Sequence, residues 1–193
     1  MKLLHLDSSA SGANSITREL SAAIVARWQD ALPQVRVEYR DLDAQPVGHL
    51  TGSALAGVDL GLAAESGQLL LQFLDAEVIV IGAPMYNFGI PSTLKAWIDR
   101  IAISGKTFRY TPDGPQGLAG GKRVIVASGR GSVYGDASPA DFQEPYLRHL
   151  FGFLGISEIE FVRAEGVGYS PQHRSDALAA AHAAIPGPLR EAA

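Results

Sequence analysis

The chain has 193 residues, 47% of them hydrophobic, and a formal net charge of −4 at pH 7; this suits one sizeable core, expected as a single domain over residues 1–193, and excludes a disordered chain. Lysine and arginine are scattered, which excludes a basic nucleic-acid groove, and no apolar run approaches the ~18 residues that span a bilayer. Cysteine is absent, so disulfides and thiolate chemistry are excluded; Lys2 to Leu4 is cut off by His5 and Asp7 before it could form a signal core, and the default location is the cytoplasm.

In chain order, Lys2 to Leu6 is an apolar strand that opens into a small polar loop, Asp7 to Ser15. A helix starts at Ile16, with Leu20, Ile24 and Trp28 on its apolar face; Ser15 is placed to cap it, and Glu19 sits in the first turn where the helix dipole favours it. Strand, Ser/Gly-rich loop and helix start together make a candidate anion site without lysine or arginine in the loop. Val35 to Leu42 reads as a second strand. The Gly/Ala-rich stretch Ala44 to Asp59 carries no clear pattern. Gly61 to Leu74 is helical in spacing, with Leu62, Leu69, Leu70 and Phe73 as the expected buried set.

Val78 to Ile81 is an unbroken β-branched run, the mark of a strand buried on both faces of a parallel sheet. Pro84 is expected to stop it. Met85-Tyr86-Asn87-Phe88-Gly89 follows, then a helix from Pro91 that buries Leu94, Trp97, Ile98 and Ile101, with Ser92 or Thr93 expected to satisfy its first N–H groups. Lys106 to Tyr110 and the turn residues after it suggest a short extended excursion. Arg123 to Ala127 is another buried strand, running into Ser128-Gly129-Arg130-Gly131. Tyr146 to Leu154 is a helix, Glu158 to Val162 a strand and Ser175 to Ile185 a last helix, with a loose tail after Pro186.

Several motifs fail on inspection. Gly105-Lys106-Thr107 would need a glycine at 100, where Arg100 stands, to close a phosphate-binding loop. The glycine-rich stretch at 129–135 lacks the glycine at 134 that a dinucleotide fingerprint needs. No cluster of His, Asp and Glu has metal spacing, and no Gly-x-Ser-x-Gly anchors a serine hydrolase. His149 and His182 are isolated on helical stretches, and His5 reads as a core histidine with its hydrogen bonds satisfied.

Strands alternating with helices predict an α/β protein with a parallel sheet covered on both faces. In the flavodoxin-like order 2-1-3-4-5, the loops after the first, third and fourth strands meet at one edge, at the topological switch point. These loops are Ser8 to Ser15, Met85 to Gly89 and Ser128 to Gly131. They describe one site with an anion pocket, an aromatic flank and a glycine-rich backbone face.

Over nearly its whole length the chain resembles the FMN-dependent NADH:quinone oxidoreductases, also called FMN-dependent azoreductases. The match rests on Pro84-Met85-Tyr86-Asn87-Phe88 and the helix after it. Thr107-Phe108-Arg109-Tyr110, Gly114-Pro115-Gln116-Gly117-Leu118 and Ala164-Glu165-Gly166 support it. The resemblance implies a flavodoxin-like three-layer α/β/α sandwich with a five-stranded parallel sheet. It implies FMN contacts at Ser9, Ser15, Ile16, Thr17, Met85, Tyr86, Asn87, Phe88, Ser128, Gly129, Arg130 and Gly131. NADH or NADPH would deliver hydride to the flavin, and a quinone or azo compound would take the electrons, in a ping-pong reaction with no catalytic side chain and no metal. The resemblance also implies that a second subunit closes much of the site, so the working unit is expected to be a homodimer, for which Trp97, Phe108, Tyr110, Phe151 and Phe153 would supply aromatic surface. The rival is a non-enzymatic FMN electron carrier. Two departures stand out: the last loop reads Ser-Gly-Arg-Gly where Ser-Arg-Gly-Gly is the family form, and residues 44–62 form a shorter segment.

Overall fold

The alternation of β-branched runs and amphipathic segments is realised in the computed structural model, which describes residues 1–136 and 138–188. The first half runs β1 (Lys2–Asp7), α1 (Ile16–Ala31), β2 (Arg36–Asp41), α2 (Gly52–Leu55), α3 (Leu60–Asp75), β3 (Val78–Pro84) and α4 (Ser92–Ile101). The second half runs β4 (Phe108–Thr111), β5 (Gly114–Gly117), β6 (Arg123–Gly129), α5 (Glu144–Phe153), β7 (Glu158–Ala164) and α6 (Pro171–Ala183). Five strands form one sheet in the order β2-β1-β3-β6-β7, and every neighbouring pair is parallel. Counted among the sheet's own strands, that is the expected 2-1-3-4-5; β4 and β5 form a separate antiparallel hairpin.

Side chains on successive sheet residues point to opposite faces, and each face has its own core. Leu4, Leu6, Ile79, Ile81, Val124 and Val126 pack with Leu69 and Phe73 of α3, Leu94 and Trp97 of α4, and Leu147 and Phe151 of α5. Leu3, Val78, Val80, Ile125, Ala127 and Val162 face the other way, onto Ile16, Leu20, Ile24 and Trp28 of α1 and Ala181 of α6. Of the four apolar residues expected to be buried on α3, Leu69 and Phe73 are, while Leu62 and Leu70 are only half-buried.

Pro84 does not stop β3. The strand runs through it, paired in register with Gly129. The Met85 N–H donates to the Gly129 carbonyl at 2.9 Å, whereas Gly82 uses its carbonyl towards β1, accepting from the Ser8 N–H at 3.2 Å. Pro84 shares the side of Gly82, so its missing N–H faces the place where β1 has already ended, and no ladder bond is lost. The start of α4 also differs: its N-cap is Pro91, with no side-chain cap, and Thr93 Oγ1 instead donates to the Ser8 carbonyl at 3.4 Å. The last helix begins at Pro171, four residues before the expected Ser175, because Ser170 caps it by accepting from the His173 N–H. From residue 189 onwards the tail expected to be loose lies outside the described residues.

Other expectations meet competing packing. Trp97 and Phe151 are wholly buried and Phe108 nearly so, Phe153 is half-buried, and of the five aromatics set aside for an interface only Tyr110 is exposed. His5 is buried, but its Nε2 has no hydrogen-bond partner among the described residues; it stands 3.6 Å from Asp7 Oδ2, with its ring against Tyr39. Within the unpatterned segment 44–59 lies the short α2, and Arg100 fixes the stretch before it by donating from Nη2 to the carbonyls of Gly48 at 2.7 Å and His49 at 2.9 Å.

Candidate functional site

At the carboxyl ends of β1, β3 and β6 the three loops converge on a cleft of about 180 Å³. One wall is polar. Ser15 caps α1 by accepting from the Arg18 N–H, its Oγ lies 3.2 Å from Thr17 Oγ1, and Ser9, Ser11 and Asn14 complete that wall. The Ile16 and Thr17 N–H groups, the first two of the helix, have no partner among the described residues, as a helix start leaves them unless something binds there.

The opposite wall is flat and less polar: Pro84, Met85 and Tyr86 from the end of β3, Gly129 and Gly131 from the end of β6, and Val167 beyond β7. A Cβ at Gly131 would meet nothing within 4 Å, so this glycine keeps open space over the cleft. The Arg130 N–H is used up on the Ala164 carbonyl at 2.9 Å, which leaves the Gly131 N–H as the unpartnered donor here among the described residues. Tyr86 ties the walls together: its hydroxyl shares a hydrogen bond with Ser9 Oγ at 3.3 Å and accepts from the Ala10 N–H at 3.1 Å.

Behind the polar wall, Arg18 grips Asp41 in two contacts, from Nη1 at 2.6 Å and from Nη2 at 2.8 Å, and donates to the Ser9 carbonyl at 2.9 Å. The hydrogen bonds to Asp41 hold the guanidinium above its ordinary pKa and hold the Asp41 carboxyl below the ordinary range. Tyr39 donates to Asp7 Oδ2 at 3.1 Å; partial burial, reinforced by the Asp7 charge, pushes its pKa up to about 12. Asp7 also accepts from Ser21 Oγ at 2.7 Å. Gly82 makes room for this carboxylate, since a Cβ there would lie 2.3 Å from Asp7 Oδ1.

Behind the flat wall lies a second and deeper cluster. Arg130 is wholly buried and meets Glu144 Oε1 at 2.6 Å, Asp141 Oδ2 at 2.9 Å and Glu165 Oε1 at 3.0 Å. Its Nε donates to Ser128 Oγ at 3.1 Å, and Ser128 in turn donates to Gln143 Oε1 at 2.8 Å. Arg163 closes on Glu144 from the other side, at 2.6 and 2.7 Å. The Ser128 and Arg130 side chains therefore face away from the cleft; the loop offers it backbone and glycine only.

Asn87 and Phe88 lie outside the cleft, in a tight turn closed by reciprocal bonds of 3.0 Å between Tyr86 and Gly89. Asn87 lines a neighbouring open depression of about 750 Å³ with Ile90, Phe142 and Tyr146, and its amide has no partner among the described residues. Phe88 is exposed, its carbonyl accepting from the Phe142 N–H at 3.1 Å. Of the twelve residues singled out in the sequence, the structure brings Ser9, Ser15, Ile16, Thr17, Met85, Tyr86, Gly129 and Gly131 onto one cleft. It puts Asn87 and Phe88 beside the cleft, and Ser128 and Arg130 behind it. Ser11, Asn14, Pro84, Val167 and Arg174 also line it and were not singled out. Ser11 and Asn14 stood in the loop as polar residues; nothing local marked Val167 or Arg174.

A parallel sheet with this order and a cleft at its switch point define an α/β protein of the doubly wound, open-sheet class. A family model described as "Flavodoxin-like fold" matches residues 1–186, and the chain belongs to that family. It is 63% identical over 186 residues to an FMN-dependent NADH:quinone oxidoreductase of Stenotrophomonas maltophilia, covering 96% of this chain and 95% of that one. Over 185 residues it is 68% identical to a protein of the same name from Xanthomonas oryzae pv. oryzae, with 96% and 95% covered. Among solved structures, an azoreductase from Bacillus anthracis superposes with a TM-score of 0.86 at 29% identity, covering 96% of each chain.

Proposed function

We infer that this protein, one flavin-binding unit over its whole length, is an FMN-dependent oxidoreductase. It takes hydride from NADH or NADPH and reduces quinones and aromatic azo compounds by a ping-pong sequence. The observation that carries this is the cleft itself: hydroxyls and two unpartnered helix-start N–H groups on one wall, and a flat aromatic and glycine face on the other. The names of close relatives support the enzyme over the electron-carrier alternative.

The residues fit FMN by their donor chemistry. Ser9, Ser15 and Thr17, with the Ile16 and Thr17 N–H groups, would hold the phosphate at the start of α1, where the helix dipole favours an anion. Met85, Tyr86 and Gly129 would flank the ring system. The Gly131 N–H is a fixed donor that needs no reorganisation when negative charge grows on the ring edge, and the Asn87 amide offers a donor and an acceptor from the adjoining turn. Bound FMN supplies the redox chemistry, taking up the hydride and passing two electrons on. The depression beside Asn87, lined by Phe142 and Tyr146, suits a flat aromatic acceptor.

The proposed working unit is a homodimer in the cytoplasm. Its support is the exposed apolar surface at the mouth of the site, Phe88 at 52% and Phe142 at 64%, since interface cores favour aromatic residues. An anaerobic titration tests the reading. Purified protein reconstituted with FMN should lose its yellow colour with NADH and regain it with a quinone or an azo dye. A flavin that binds but stays oxidised in excess NADH and NADPH makes the protein a carrier; failure to bind FMN removes both readings.

A further inference from the structure

A phosphate held only by neutral dipoles leaves a doubly charged ester without a counter-charge, and the polar wall contains no lysine or arginine of its own. Arg18, the nearest cation in sequence, is committed to Asp41 and the Ser9 carbonyl. Arg130 is buried among carboxylates behind the opposite wall. Arg174, from the first turns of α6, reaches the same cleft as Ser15 and Thr17. It is half-buried, its Nη2 donates to the Asn14 carbonyl at 3.0 Å, and no carboxylate pairs with it among the described residues. A guanidinium presents several N–H donors in a planar fork, so most of them remain free to meet an anion in the cleft.

We propose that Arg174 is the cation of the phosphate site and makes the cleft select phosphorylated over unphosphorylated flavin. The inference rests on the flavin reading above. A bond between guanidinium and phosphate is charge-assisted and stronger than one from a hydroxyl. The contact with Asn14 places Arg174 at the loop but is made to a neutral carbonyl, and it leaves the positive charge uncompensated. The sheet topology thus supplies from the end of the chain the charge that the first loop lacks.

Binding of FMN and of riboflavin to the full-length, flavin-free chain separates this role from a merely structural one. Arg174→Gln keeps a donor for the Asn14 carbonyl and removes the charge. It should weaken FMN binding by about 10- to 100-fold, the range for a lost charge-assisted hydrogen bond, and leave riboflavin binding unchanged. Arg174→Lys should keep much of the preference for FMN, and the salt dependence of FMN binding should be shallower in the glutamine variant. Equal losses for both flavins would mean that Arg174 only holds the loop, and an unchanged FMN affinity would remove it from the site; either result overturns the proposal. A parent protein that binds neither flavin overturns the flavin reading instead.

Discussion

Each wall of the cleft is held from behind by an arginine, and the two arginines work in opposite surroundings. The Arg18 side chain keeps 17% of its surface in solvent and shares its charge with Asp41, while Asp7 and Asp43 stand near 4 Å away. Arg130 has no solvent contact and balances three carboxylates, which Arg163 helps to neutralise. Near the surface, water can take over from a lost partner, so an ion pair there contributes little. In the interior nothing replaces the partner, and removing it strands charge. The flat wall is therefore fixed by a cluster that cannot be trimmed, and the polar wall by one that can.

The largest effect expected follows from that difference. Arg130→Met should cost about 3–5 kcal/mol of folding stability, the range for breaking a buried ion pair, read from urea unfolding midpoints. Arg18→Met should cost about 1 kcal/mol or less, and equal losses from the two would break the comparison. Gly82→Ala falls between them: a methyl 2.3 Å from Asp7 Oδ1 forces the buried carboxylate to move, and overpacking of this kind costs about 1–3 kcal/mol. If the variant unfolds with the parent's midpoint, the polar wall is softer than its geometry implies.

Smaller still, Ser15→Ala should lose about 1 kcal/mol as a helix cap, measured by thermal unfolding of the flavin-free protein. A loss below a few tenths would mean that Thr17 takes over the role. The pH response sharpens the comparison last. The Asp41 pKa is depressed by Arg18, so the stability it contributes is present above its unfolded value of about 3.9 and lost as pH falls through the folded value. The Tyr39 pKa is raised, so its contribution is full below its unfolded value of about 10 and lost as pH climbs through about 12. Arg18→Gln should flatten the acid loss and Tyr39→Phe the alkaline loss between these values. Unaltered slopes in urea midpoint against pH would show that the cluster does not couple to folding.

The sheet and most of the cleft were legible in sequence because both depend on local signals. β-branched runs mark β3 and β6, and Ser15 before an apolar-periodic helix marks the start of α1. The parallel topology then brings distant loops together without further information. What escaped depended on long-range partners. The carboxylates that bury Arg130 come from residues 141, 144 and 165, and no spacing announces that they meet. Arg174 was missed because α6 is alanine-rich and weakly patterned, so its capped first turn at Ser170 and Pro171 did not stand out. Segment 44–59 is shaped by Arg100 and has no periodicity of its own. The aromatics expected at an interface were misjudged for a related reason: a sequence shows that Trp97 and Phe151 are large, not that the core on one face of the sheet takes up both.

The turn between Tyr86 and Gly89 has a consequence for anyone who would redesign this protein. Asn87 and Phe88 both take left-handed backbone angles, φ 49° and 70°, the pairing that tight hairpin turns prefer to fill with Asn-Gly. A phenylalanine there costs about 1–2 kcal/mol relative to glycine. A design procedure scored on stability alone would write glycine at 88, raise the melting temperature, and erase the exposed aromatic ring. If the ring serves the proposed acceptor site, position 88 is where optimisation for robustness and selection for activity would pull the sequence apart, and a stability-ranked library should be required to keep it.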